Sequence, residues 1–124
     1  MLSAIIVAAG GSRRMGFDKL FAAIADKAVL WHAMNAFERA ESVSEIIVVT
    51  REDRRAEVER MREHDFAKIR SIVLGGEHRQ DSVQAGLKKV SKEARYVAIH
   101  DAARPLITPQ QIERVYEVCR AQRA

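Results

Sequence analysis

"SAIIVA", residues 3–8, runs directly into "AGGSRRMGFDK", residues 9–19. The first part is rich in Ile and Val, as befits a strand buried on both faces. The second part turns small, then cationic. Ala8, Ala9, Gly10 and Gly11 let backbone approach a ligand closely, and glycine tolerates positive φ. Exposed N–H groups in such a loop can cradle phosphate oxygens. Arg13, Arg14 and Lys19 supply charges that match a polyphosphate. The plain alternative is a strand-to-helix turn with solvated arginines. Two familiar phosphate motifs do not fit. A dinucleotide fingerprint needs G-x-G-x-x-G, and Ser12 stands where its second glycine belongs. Gly11 and Gly16 have P-loop spacing, but Phe17 and Asp18 follow where that motif needs Lys and Ser or Thr.

Three more apolar runs read as parallel strands: "EIIVVT" (45–50), "IRSIVL" (69–74) and "RYVAIH" (95–100). Helical patterns lie between and after them. Leu30, Ala33, Met34 and Phe37 recur at helical spacing, as do Val83, Leu87 and Val90, and Ile112, Val115, Tyr116 and Cys119. The last helix has a clean start. Thr108 is its N-cap, Pro109 its first residue, and Gln111 completes a capping box. Residues 51–65 offer only Val58 and Met61 as core anchors and read as a mostly solvated helix. Strands alternating with helices give an α/β fold with a parallel sheet and right-handed crossovers. Ligands in such sheets bind at the carboxyl ends of the strands. The places to inspect are therefore 8–19, 74–82 and 100–105.

Composition narrows the classes. A length of 124 residues suits one domain, with 48% hydrophobic residues for a core and 31% charged for a wet surface. No apolar run reaches membrane-spanning length, and the start shows no cleavable leader pattern. Cys119 is the only cysteine, so there is no internal disulfide framework, and the cytoplasm is the expected compartment. Its place on the last helical stripe reads as core. The net charge of +4 suits small anions, and no long basic block points to nucleic acid.

At the second strand end, "LGGEHRQDSVQAGL" (74–87) sets Gly75 and Gly76 ahead of Arg79 and Ser82. Two glycines permit close approach by a base or ribose, and Ser82 could offer a hydroxyl to a base edge. The alternative is a glycine turn with Asp81 or Ser82 as an N-cap. At the third, "AIHDAARPLITP" (98–109) ends a strand with His100 and Asp101. A carboxylate there suits Mg²⁺ facing a triphosphate. Otherwise it caps the next turn or pairs with Arg104. His32, His64 and His78 lack the spacing of a metal phosphohydrolase, and no nucleophile–histidine arrangement stands out.

Together "AAGGSRRMG" with Lys19, "GGEHRQDSVQAGL" and "HDAARPLIT" resemble the sugar-phosphate nucleotidyltransferases, and within them the 2-C-methyl-D-erythritol 4-phosphate cytidylyltransferases of the non-mevalonate isoprenoid pathway. The resemblance runs from end to end of the chain. It implies a three-layer, Rossmann-like fold with a mostly parallel sheet, and attack of the acceptor phosphate on the α-phosphorus of CTP with loss of pyrophosphate. Carried over by position, Arg14 and Lys19 stabilise the transition state. Ala8, Ala9, Gly10 and Gly11 wrap the triphosphate. Gly75, Gly76, Arg79 and Ser82 hold the cytidine, Asp101 binds Mg²⁺, and Ala102 packs near the nucleotide. The implied partners are CTP and a sugar-alcohol phosphate, with a homodimer for full-length members and no membrane or nucleic acid.

Two local departures are Ser12, where the family often has glycine, and Asp18, where proline is frequent before the lysine. Length is the large one. Family members are nearly twice as long, and their second half carries the acceptor site and a dimer arm. Residues 1–124 are thus expected to be the nucleotide-binding part, weakly stable and self-associating alone, with "RYVAIH" an inner strand short of one neighbour. Two alternatives stay open: a cytidylyltransferase for another alditol phosphate such as ribitol 5-phosphate, and a module that binds nucleotide without turnover.

Overall fold

A computed structural model describes residues 2–9, 19–104 and 107–123. Six strands and four α-helices follow in chain order: β1 (Leu2–Ala8), β2 (Ala23–Ile24), β3 (Lys27–Ala28), α1 (Val29–Arg39), β4 (Val43–Thr50), α2 (Arg55–Asp65), β5 (Ile69–Leu74), α3 (Arg79–Leu87), β6 (Tyr96–Asp101) and α4 (Pro109–Arg123). Short 3₁₀ turns at Lys19–Phe21 and Glu52–Arg54 precede β2 and α2. The main sheet has the order β5-β4-β1-β6, and every pair in it is parallel. The four expected strands are all present; β6 lies one residue later than expected and so takes in Asp101.

Alternation along β1 and β4 divides the core. Ala4, Ile6, Ala8, Ile46 and Val48 face α1, whose Leu30, Met34 and Phe37 are buried against them. Ile5, Val7, Ile47 and Val49 face α3. Each of these strands is buried on both faces, which is why its sequence is almost unbroken Val, Ile and Ala.

Two helical stripes need correction. On α3 the fully buried residues are Ser82 and Gly86; Val83, and Val90 beyond the helix, pack against Ile5, Val7, Ile47 and Val49 as expected, while Leu87 is exposed. The helix sits close to the sheet because Gly86 has no side chain: a Cβ there would lie 2.7 Å from Ile5 Cγ2. On α4, Ile112 and Tyr116 are buried, but Val115 is 62% exposed and Cys119 is exposed rather than core. Its start is as expected: Thr108 Oγ1 accepts from Gln111 N–H (3.1 Å), and Gln111 Oε1 accepts from Thr108 N–H (2.9 Å). α2 is the mostly solvated helix foreseen for 51–65, with Val58 as its one buried residue.

Two features had no strong signal. Glu45 is buried at 3% exposure near the amino end of the sheet. Its Oε2 accepts from Ser3 Oγ (2.5 Å) and Ser91 N–H (2.8 Å), and Arg70 reaches Oε1 at 3.6 Å. A buried carboxylate is tolerable only with such partners. The β2–β3 hairpin turns through Ala25 and Asp26, both at positive φ (53° and 68°). Alanine is an uncommon residue for that conformation.

The two edges of β6 differ, as the reading of residues 95–100 as a strand short of one neighbour expects. Its inner edge pairs with β1, but among the described residues no strand pairs with the other. Val97 and Ile99 are 37% and 42% exposed.

Candidate functional site at the carboxyl edge of the sheet

The parallel registers bring four strand ends to one level. Ala8 lies opposite Thr50, Thr50 opposite Leu74, and Val7 opposite Asp101. Two backbone bonds tie the following turns to them: Gly75 N–H donates to Thr50 O, and Ala102 N–H donates to Val7 O, both at 3.0 Å. Ala8, Ala9, Gly75, Asp101 and Ala102 therefore gather along one edge.

Gly75 owes its identity to packing. A Cβ on it would sit 2.4 Å from Ala9 Cβ and 2.5 Å from Ser82 Oγ. The end of β1, the turn after β5 and the first turn of α3 thus close on one another with no room for a side chain. Ser82 lies inside α3, not at its cap, and is 2% exposed. The N-cap is His78, whose N–H donates to Asp81 Oδ2 at 3.2 Å. Gly76 lies farther out, against Asp81, and Arg79 is exposed at the first residue of α3. Gly10, Gly11 and Arg14 lie outside the described residues. Lys19 opens the 3₁₀ turn that follows them.

Asp101 serves the turn after β6. Its Oδ1 accepts from Ala103 N–H and its carbonyl from Arg104 N–H, both at 3.0 Å. Among the described residues no group of three His, Cys, Asp or Glu side chains could hold a metal. One carboxylate at a strand end suits Mg²⁺ when phosphate oxygens complete the shell. The donor set therefore fits a metal shared with a polyphosphate. His100 packs its ring against Phe37, centroids 5.4 Å apart. Burial pulls its pKa below the ordinary value of 6.5; Asp101 pushes the other way, and Arg104 adds to the lowering.

The sequence reading passed over two residues here. Thr50 is fully buried at the end of β4, and its Oγ1 finds no hydrogen-bond partner. Arg51 follows it and pairs through Nε with Asp53 Oδ1 at 3.0 Å. The signal available was their place at a strand end, but Arg51 had been read with the charged run of the next helix.

Comparison with known proteins fits this architecture. The family model described as IspD, 2-C-methyl-D-erythritol 4-phosphate cytidylyltransferase, matches residues 2–124. A protein of that name from Clostridium botulinum (strain Loch Maree / Type A3) is 47% identical over 115 residues, covering 90% of this chain and 50% of the relative. One from Dehalococcoides mccartyi (strain ATCC BAA-2266 / KCTC 15142 / 195) is 42% identical over 113 residues, covering 90% and 49%. The crystal structure of 4-diphosphocytidyl-2C-methyl-D-erythritol synthase from Anaerococcus prevotii superposes with a TM-score of 0.84 at 28% identity, over 97% of this chain and 51% of that one. The chain spans about half the length of the relatives it matches. With nearly all its residues matched, it belongs to the 2-C-methyl-D-erythritol 4-phosphate cytidylyltransferase family.

Proposed function

We propose that this chain holds CTP, with Mg²⁺, along the carboxyl edge of its sheet, and that the bound nucleotide is attacked at its α-phosphorus by 2-C-methyl-D-erythritol 4-phosphate with release of pyrophosphate. Residues 1–124 are, on this reading, the nucleotide-binding part of a cytoplasmic enzyme of isoprenoid precursor synthesis. The supporting observation is convergence. Three segments far apart in sequence, ending at Ala9, Gly75 and Asp101, meet at one level of the sheet in a chain of this family.

The roles are those the family resemblance assigns by position in the sequence. Ala8, Ala9, Gly10 and Gly11 bring backbone N–H groups to the triphosphate. Gly75, Gly76, Arg79 and Ser82 hold the cytidine side. Ala102, buried and tied to Val7, fixes the turn beside the nucleotide. Asp101 holds Mg²⁺ jointly with the phosphates; the ion, when bound, supplies charge neutralisation. Arg14 and Lys19 stabilise charge that develops during transfer. No covalent enzyme intermediate is needed, so catalysis is positioning plus electrostatics.

The test is titration of the 124-residue chain with CTP in the presence of Mg²⁺, with UTP and ATP as competitors. Saturable binding that favours CTP is expected. Absence of binding, or equal binding of all three, would overturn the reading. Pyrophosphate release on adding the acceptor phosphate separates turnover from nucleotide holding alone.

A further inference from the structure

We propose that Arg54 is a positioning residue for the transfer reaction: its guanidinium clamps Phe21 and so fixes the short turn that opens with Lys19. The inference rests on the reading of Lys19 as a residue that acts on the bound nucleotide. Its origin is topology. β1 and β4 are adjacent parallel strands, and Ala8 lies opposite Thr50 at their carboxyl ends. The chain leaving β4 enters the 3₁₀ turn Glu52–Arg54, and the chain that follows β1 returns as the 3₁₀ turn Lys19–Phe21. The two turns meet. The guanidinium carbon of Arg54 lies 4.4 Å from the centre of the Phe21 ring, inside the range of about 6 Å at which a ring face attracts a cation.

A turn of three residues has little structure of its own to hold it. Leu20, its middle residue, is buried in the core between the sheet and α1, and just beyond it Ala22 O accepts from Val29 N–H at 3.0 Å. Phe21 is only partly buried against that core, and Arg54 stacks on its ring. Arg54 is braced in turn. It ends one 3₁₀ turn and is the N-cap of α2, and its Nη1 donates to Glu57 Oε1 in the first turn of that helix. A guanidinium already held by a carboxylate loses little further freedom by resting on an aromatic face. Arginine suits the task better than lysine, whose ammonium is a strongly hydrated point charge.

What the clamp adds is orientation rather than burial. Leu20 anchors the turn in the core with or without Arg54. Lys19 and Phe21 flank that anchor, so holding Phe21 fixes the rotation of the turn about its buried residue and with it the place of Lys19. A reaction run by positioning and electrostatics is sensitive to small displacements of a charged group. Arg54 acts through Phe21 and not on the nucleotide itself.

Amine acetylation followed by mass spectrometry reads the place of Lys19 without requiring turnover. In the unaltered 124-residue chain, saturating CTP with Mg²⁺ is expected to slow labelling of Lys19. In Arg54→Gln and in Phe21→Leu, at the same nucleotide occupancy, Lys19 should be labelled about threefold faster or more, within the roughly two- to thirtyfold that a contact of this class commands. Phe21→Leu keeps apolar bulk and removes the ring face. Phe21→Tyr keeps the face and should behave as the unaltered chain, and Arg54→Lys should fall between. Lys68, whose Nζ donates to Ala40 O at 2.8 Å, is the reference for general loosening and should be labelled at one rate throughout. Equal protection of Lys19 in the unaltered chain, Arg54→Gln and Phe21→Leu would overturn the inference and leave the nucleotide reading standing. So would equal acceleration at Lys19 and Lys68, which marks a structural role. So would a loss of CTP affinity in Arg54→Gln that Phe21→Leu does not share, which marks a direct phosphate contact. Saturable CTP binding that leaves Lys19 of the unaltered chain unprotected would overturn the reading of Lys19, and the inference with it.

Discussion

β4 and β6 flank the same strand, pair with it in the same parallel sense, and have similar Val- and Ile-containing sequences, yet they end in different surroundings. β4 is buried at every residue except Ser44. β6 alternates between half-buried and exposed along most of its length. The cause is cover. β4 has α3 on one face, α1 on the other, and β5 beyond it. Among the described residues, β6 has α4 over one face only, through Tyr96 and Tyr116 packed edge to face at 5.5 Å. An apolar run states that a strand wants burial on both sides. Whether it gets it depends on what else is there.

The sharpest way to break this comparison is to truncate matching residues in the two strands. Ile47→Ala, at a fully buried site, should cost about 2–5 kcal/mol in urea unfolding. Ile99→Ala, measured below the concentration of any self-association, should cost less than about 1 kcal/mol. Equal costs would mean that β6 is as well covered as β4.

The amino ends of the strands give the next contrast. Glu45 of β4 binds β1 through Ser3 and the segment before β6 through Ser91. Glu45→Ala strands both donors and should cost about 1–3 kcal/mol in the same assay. A neutral result would show that water replaces the carboxylate there. A smaller loss is expected at α4, which is the cover of β6: Thr108→Ala removes one cap acceptor, at about 1 kcal/mol. No change in melting temperature would mean that α4 does not depend on its cap.

The smallest effect is a pH slope from β6. Burial lowers the pKa of His100, so the unfolded chain takes up a proton before the folded one. The stability this neutral histidine contributes is full above its unfolded pKa of about 6.5 and is lost as pH falls toward the lowered folded value. His100→Gln should flatten that part of the stability–pH curve. If the variant keeps the wild-type slope below pH 6.5, another group carries it.

Much of this was legible in the sequence, for identifiable reasons. The four strands announce themselves because both-face burial demands unbroken apolar runs. The α1 stripe and the Thr108–Gln111 box are local patterns with local causes. What failed was any inference about what lies opposite a surface. Val115 and Cys119 belong to an apolar stripe, but a stripe does not say whether anything packs on it. α3 is half legible for the reverse reason: Val83 packs on the sheet as its spacing predicts, but the closest contacts are Ser82 and Gly86, small residues suited to close approach, which a search for large side chains passes over. Glu45 opens the apolar run 45–50, and nothing in the sequence names Ser3, Ser91 or Arg70 as its partners. At the site, strand ends named the right neighbourhood, since topology gathers them whatever the side chains. The reason for glycine at 75 became visible only with Ala9 and Ser82 in place.

The central claim is that the carboxyl edge, and not another surface, receives CTP. Amide chemical-shift perturbation on the ¹⁵N-labelled chain, titrated with CTP and Mg²⁺, tests it residue by residue. Shifts concentrated at Ala9, Gly75, Ser82, Asp101 and Ala102, with Glu45 and Ser91 at the opposite end unmoved, are the result this account predicts. Shifts centred at the amino end of the sheet, or none at saturating nucleotide, would contradict it.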